Sequence, residues 1–179
     1  MRAVYILIIV FFVVQLSLAQ SACISVTDHL FENKCFIFVN ERLSFWEAEQ
    51  YCNIRTNSAW SQLAKVENFI DARFLSKTAA SEFSMTYGDF WVGVYRPTVY
   101  DYFRYMDGTY CPFENFSDRN PSMNFVSQSV VNGKWQTVDP DTALPFVCYY
   151  PLYPVTTTTV GYDSSTFPWA DVVQNQKTA

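Results

Sequence analysis

A chain of 179 residues is long enough for one domain with a core of ordinary size. It carries 16 Phe, 12 Tyr and 5 Trp but only 5 Gly, so glycine-rich phosphate loops are excluded at the outset. Its net charge of −5 argues against nucleic acid and anionic membrane as partners, since both reward clustered Lys and Arg; the charge first of all serves solubility.

The first segment, MRAVYILIIVFFVVQLSLAQ, has Arg2 at its start and an apolar run from Ala3 to Val14. It closes with the small residues Ser17 and Ala19 two apart. This is the pattern of a signal peptide over residues 1–19, cut before Gln20, and the run is shorter than the roughly 20 apolar residues of a membrane span. The expected mature protein is secreted and extracellular, with no membrane span. In that oxidising compartment Cys23, Cys35, Cys52, Cys111 and Cys148 are expected to pair, leaving one over. Zinc is a poor alternative, because no C-x-x-C pair occurs and His29 is the single histidine.

CISVTDHLFENKCFIFV, 23–39, predicts a hairpin closed by Cys23–Cys35. In NERLSFWEAEQYCN, Ser44 and Glu47 form a capping box, so a helix should start at Phe45 with Phe45, Ala48 and Cys52 on its buried face. A second helix is expected from Val66 to Leu75, with Val66, Phe69, Ile70 and Phe74 inward, followed by a polar loop over 76–89. FWVGVY, 90–95, reads as a buried strand in which Gly93 admits another backbone. YDYFRYMDG, 100–108, alternates and ends in the turn signal Asp107-Gly108.

TYCPFENFSDRNPSMN, 109–124, has little periodicity and reads as a long ordered loop, a common place for function. NFVSQSVVNGKWQTV predicts two strands about Asn132-Gly133, and LPFVCYY, 144–150, a last strand. Two early helices and mostly late strands make an α+β domain over residues 20–151. Residues 152–179, with their Thr run, are expected to be a disordered tail suited to O-glycans, and no lipid anchor is expected from them. Asn115-Phe116-Ser117 is an N-glycosylation sequon, whereas Asn120-Pro121-Ser122 is barred by its proline.

CFIFVNERLSFWEAEQYC, FWVGVY, YMDGTY, NGKWQTV and LPFVC occur in that order. Together, over residues 23–149, they resemble the C-type lectin-like domain: two helices, antiparallel sheets and a long loop, stapled by disulfides. The resemblance implies the bridges Cys52–Cys148 and, in the long form of the fold, Cys23–Cys35. The family's further bridge at the base of the long loop would fall near Phe125 and Asp139 or Pro140, where no cysteine stands. Cys111 is then left as a free thiol or as the link of a disulfide-joined homodimer, which its loop position favours.

In sugar-binding members of the family, calcium is held by a Glu-Pro-Asn or Gln-Pro-Asp triplet, an acidic residue near the loop-base cysteine, and an Asn-Asp pair after the late tryptophan. The corresponding residues here are Asn120-Pro121-Ser122, Met123 or Asn124, and Gln136-Thr137 after Trp135. Pro121 should keep the loop turn, in the family usually through a cis bond. Neutral amides and hydroxyls supply oxygen without negative charge, so neither calcium nor any other cofactor is expected. Trp135 then belongs with the core around LPFVC, and Asp139 and Asp141 with a surface turn around Pro140; a displaced site using Asp118, Asp139 or Asp141 would need them to converge.

Three functions follow for comparison. The first is a binding module taking a carbohydrate or extracellular protein on Phe113, Glu114, Asp118, Arg119, Asn120, Ser122, Trp135 and Gln136 without calcium, with Phe113 and Phe116 either exposed platforms or core of the loop. A glycan at Asn115 would stand in the middle of that face. The second is a calcium-dependent carbohydrate-binding lectin with a degenerate site. The third is an enzyme, which would have to build on His29; no paired carboxylates stand at catalytic spacing, and an enzyme is not expected.

Overall fold

The computed structural model describes residues 23–55 and 60–152. The signal peptide expected over 1–19 lies outside the described residues, as does the tail beyond Leu152. Among the described residues no helix is long and apolar enough to cross a membrane.

The apolar runs of the sequence become the middle of one sheet. β1 (His29–Phe31) and β2 (Lys34–Leu43) form the N-terminal hairpin. After them come α1 (Phe45–Arg55), β3 (Gln62–Leu63), α2 (Phe69–Glu82), β4 (Asp89–Tyr95) and β5 (Arg104–Tyr105). β6 (Phe116–Asp118), β7 (Phe125–Ser129), β8 (Trp135–Val138) and β9 (Leu144–Pro151) complete the chain. The nine strands run in the order β1-β2-β9-β4-β7-β8-β6, with β3 beside β9 and β5 beside β4. Most pairs are antiparallel; β4 meets β9, and β6 meets β8, in parallel.

The central strands are apolar at nearly every position because both faces of the sheet are covered. Phe90, Val92 and Val94 of β4, and Val147 and Tyr149 of β9, face a core shared with Ala72, Leu75 and Ala79 of α2. The alternate residues Trp91, Phe146 and Cys148 face a second core with Phe45, Ala48 and Cys52 of α1. The period of two along each strand thus places the helices on opposite sides. Gly93 lets β3 approach, since a Cβ there would stand 2.4 Å from the Leu63 carbonyl oxygen. Its N–H donates to the Ala64 carbonyl at 2.9 Å.

Two disulfides fasten this arrangement. Cys52–Cys148 ties α1 to β9 across 96 residues, and Cys23–Cys35 ties the N-terminal segment to β2 across 12. Closing so long a loop stabilises by about 4–5 kcal/mol in the chain-entropy account. α1 starts where its capping residues place it: the Glu47 carboxylate accepts from the Ser44 N–H at 3.0 Å and from Ser44 Oγ at 2.6 Å. A long-range contact reinforces the start, the Phe45 N–H donating to the Pro140 carbonyl at 2.9 Å.

α2 departs from the expected Val66–Leu75. Asn68 caps it, its Oδ1 accepting from the N–H groups of Ile70 and Asp71, so it begins at Phe69 and runs on through the supposed loop to Glu82. Of the expected inward residues Val66 and Phe74 do pack on the core, together with Ala72, Leu75, Ser76 and Ala79, while Phe69 and Ile70 stay 51% and 61% exposed. Small residues win because they let the helix axis approach the strands. Of the alternating stretch 100–108 only Arg104–Tyr105 pairs as strand, followed by the expected turn with Gly108 at φ 79°.

Candidate functional site: the long loop

The long loop leaves β4 at Tyr95 and returns at β7. Its base carries aromatics where the resemblance placed a disulfide. Phe125 lies opposite Val138 of β8 and stacks on Tyr95, with ring centroids 4.8 Å from Phe45 and 5.6 Å from Trp46. Such aromatic pairs contribute about 0.5–1.5 kcal/mol each beyond area burial, so ring packing fastens the loop base.

Within the loop, inward and outward residues separate sharply. Trp135 is fully buried and its Nε1–H donates to Gln128 Oε1 at 3.0 Å. It cannot touch a ligand, which corrects its place among the contact residues. Phe113 and Phe116, partly buried, set their rings edge-on to Trp135 at 5.4 and 5.5 Å and pack against the core cluster around α2, so neither is a free platform. Glu114, Asp118, Arg119, Asn120 and Ser122 are exposed. Gln136 is half-buried, and its amide donates to the carboxylate of Asp89 at the start of β4. Burial raises the Asp89 carboxyl above its ordinary range.

Around Pro121 a tight turn forms: Met123 N–H donates to the Asn120 carbonyl at 3.1 Å and Ser122 N–H to Asn120 Oδ1 at 3.0 Å. The Asn120 carbonyl also accepts from Thr137 Oγ1 at 3.0 Å. The turn is kept with all peptide bonds trans among the described residues, so the cis bond usual in the family is not used. Asn124 Oδ1 accepts from Arg96 Nε at 3.1 Å. Asp139 and Asp141 form their own exposed turn, Asp141 N–H donating to Asp139 Oδ1 at 2.9 Å. Among the described residues no group of three His, Cys, Asp or Glu side chains is placed to hold a metal ion.

Of the two readings of Cys111 the structure holds the free thiol, and both Cys111 and Asn115 are buried. Cys111 is 1% exposed and its thiol donates to the Phe113 carbonyl at 3.1 Å. Burial pushes the thiol's pKa up, so it is neither placed nor activated for a bridge between two chains. The sequon at Asn115 is also closed: the residue is 5% exposed, its Nδ2 donates to the Gly133 carbonyl at 2.8 Å, and its Oδ1 accepts from Lys134 Nζ at 2.8 Å. A glycan would replace one Nδ2 hydrogen and would have to leave from a side chain that is 5% exposed. His29 sits at the far hairpin, 3.1 Å from Glu82 and edge-on to Phe38.

The exposed aromatics of the loop are residues the sequence did not single out. Tyr100 and Tyr102 are 95% and 77% exposed, and the Tyr102 ring meets that of Tyr110 at 5.9 Å. Their signal lay in the alternation of 100–105: Phe103 and Tyr105 turn inward, so Tyr100 and Tyr102 are left outside. Arg119 holds its guanidinium over Phe103 and Phe116, at 4.9 and 5.4 Å, and pairs with Glu114 at 3.5 Å. The face therefore offers tyrosine rings, amides, a hydroxyl and one solvated ion pair, a set suited to hydrogen bonding and stacking.

A family model described as the lectin C-type domain matches residues 41–150. Among solved structures, the chain is similar to human lithostathine at 21% identity and TM-score 0.63, covering 74% of this chain and 93% of that one. The carbohydrate-recognition domain of the mouse scavenger receptor C-type lectin matches at 18% identity and TM-score 0.61, covering 74% and 99%. The C-type lectin CEL-I from Cucumaria echinata matches at 15% identity and TM-score 0.65, covering 74% and 100%. At these identities the likeness is one of fold.

Proposed function

The chain belongs to the C-type lectin domain family, and from that premise we propose that it is a secreted, non-enzymatic binding module that takes a carbohydrate on its long-loop face without calcium. The leader-like segment 1–19 and the two disulfides support an extracellular setting. One structural neighbour is the carbohydrate-recognition domain of the mouse scavenger receptor C-type lectin, which supports a sugar as the first ligand class to test.

One observation carries the metal-independent part. The oxygens at the positions where the family binds calcium are neutral, and two of them are already engaged: Asn120 Oδ1 with the Ser122 N–H, and Asn124 Oδ1 with a guanidinium. Thr137 Oγ1 is bonded to the Asn120 carbonyl. Calcium asks for six to eight oxygens with several carboxylates among them, and these residues do not fit that demand. Recognition then falls to Tyr100 and Tyr102 as amphipathic rings and to Asn120, Ser122 and Asp118 as hydrogen-bonding groups.

The test is a glycan array probed with the purified protein in millimolar calcium and again in EDTA. Binding unchanged by EDTA is the expected result. Binding lost in EDTA would make the chain a calcium-dependent lectin with a degenerate site. Silence in both buffers would reject the sugar and leave an extracellular protein as the ligand.

A further inference from the structure

Arg96 follows directly on the buried strand β4, where a charged residue would be expected to turn to solvent. It does not, and is 3% exposed. Its Nε donates to Asn124 Oδ1 at 3.1 Å and one Nη to the Val99 carbonyl at 2.9 Å. The other Nη donates to the carbonyls of Pro121 at 2.6 Å and Met123 at 2.9 Å. Its own N–H donates to the Asn124 carbonyl at 2.9 Å, and the guanidinium lies 5.2 Å from the centroid of Phe103. No carboxylate is within ion-pair distance of it among the described residues.

A buried cation without a counter-ion is strongly destabilising unless other groups replace its hydration. Here three carbonyl oxygens and an amide oxygen do so. An oxygen set converging on one positive centre is what a hard metal ion would otherwise collect. The planar fork of arginine can hold it from one side chain, with donors aimed at two segments of chain at once.

We propose that Arg96 is the built-in cation of the long loop. Its guanidinium ties the segment after β4, through Val99, to the segment before β7, through Pro121, Met123 and Asn124. It thereby fixes the turn that presents Asn120 and Ser122. Arg96 touches no ligand; it is a positioning residue. The inference deepens the metal-independent reading of this face and rests on that reading for what the loop presents. Its test follows the order of the loop, so that a failure to bind sugar and a failure of the clamp give different results.

Amide hydrogen exchange on the purified protein reads it directly. In the wild type, exchange at Ser122 and Met123 is expected to be the same in calcium and in EDTA. In Arg96→Ala these amides should exchange about tenfold faster or more, given four lost charge-assisted bonds, while β2, β4 and β9 keep their protection. Millimolar ethylguanidinium should restore the slow exchange, and ethylammonium, with the same charge and no fork, should not. Should Arg96→Ala fail to fold, Arg96→Lys serves, since lysine keeps the charge and loses the fork; fast loop exchange over a protected sheet is expected there too. Wild-type exchange in either variant, loss of protection spread through the sheet, or a wild-type loop loosened by EDTA would each overturn the proposal.

Discussion

The indole N–H of Trp135 donates to Gln128 Oε1 across the β7–β8 hairpin at 3.0 Å, and the same amide continues into α2. Gln128 Nε2 donates to the Ala72 carbonyl at 2.9 Å and to Ser76 Oγ at 3.0 Å, and Ser76 Oγ in turn donates to the Ser129 carbonyl at 2.8 Å. Both Gln128 and Trp135 are fully buried. One glutamine thus joins the tryptophan beneath the long loop to the helix on that side of the sheet. The tryptophan beside the two aspartates is core, and those aspartates lie on a separate turn.

Replacing Gln128 by Leu keeps the volume and strands the indole N–H without an acceptor. The expected loss is about 1–3 kcal/mol in urea unfolding, the cost of leaving a buried donor unpaired. A change below about 0.5 kcal/mol would mean that the indole finds another acceptor or water.

The strands and the start of α1 were legible because they rest on local signals: continuous apolar runs, a Ser44–Glu47 cap and the Asn132-Gly133 turn. α2 was misplaced for a tertiary reason. Its buried face sets Leu75 among the small Ala72, Ser76 and Ala79, whose size suits close approach to the sheet and weakens the hydrophobic stripe there is to read. The site fared similarly. The polar residues Asn120 and Ser122 were found through a motif, whereas Arg96 and Gln128 each also bond residues more than twenty positions away, Met123 and Ala72, which no local pattern encodes.

Glu49 predicts a pH dependence. It is buried in α1, its carboxylate accepting from the Leu63 N–H at 2.8 Å and from Asn53 Nδ2 at 3.0 Å. Burial dominates over those donors and raises its pKa to about 7 from an ordinary 4.5. The folded state therefore holds this proton more tightly than the unfolded one. The stabilisation it gives is complete below about 4.5 and is lost as the pH rises through about 7. Glu49→Gln removes the titration and keeps an oxygen for Leu63. The stability of wild type relative to Glu49→Gln should fall by roughly 1–3 kcal/mol between acid and mildly alkaline pH. A difference that stays flat with pH would refute the assignment.

Asn115 predicts the absence of a modification. Its amide spans Gly133 and Lys134, and its carbonyl accepts from the Trp135 N–H at 2.9 Å. Protein secreted from a glycosylating host should show no mass change at Asn115 on treatment with an N-glycosidase. Asn115→Ala should lower stability by about 1–3 kcal/mol through the unpaired Gly133 carbonyl. A fully folded protein bearing a glycan at Asn115 would show that the loop has a second arrangement.

The last prediction separates the aromatics of the loop by what they face. Phe113 and Phe116 brace Trp135 from within, whereas Tyr100 and Tyr102 spend most of their surface on solvent. Phe113→Ala or Phe116→Ala should cost about 2–3 kcal/mol, somewhat below a fully buried phenylalanine because each keeps some exposure. Tyr100→Ala and Tyr102→Ala should change stability by no more than about 0.5 kcal/mol. On the glycan array the order should reverse, with the tyrosine variants losing signal while their unfolding midpoints hold. If the phenylalanine variants instead lost binding at undiminished stability, the ligand face would lie on the other side of the loop, over Trp135, and the tyrosines would be bystanders.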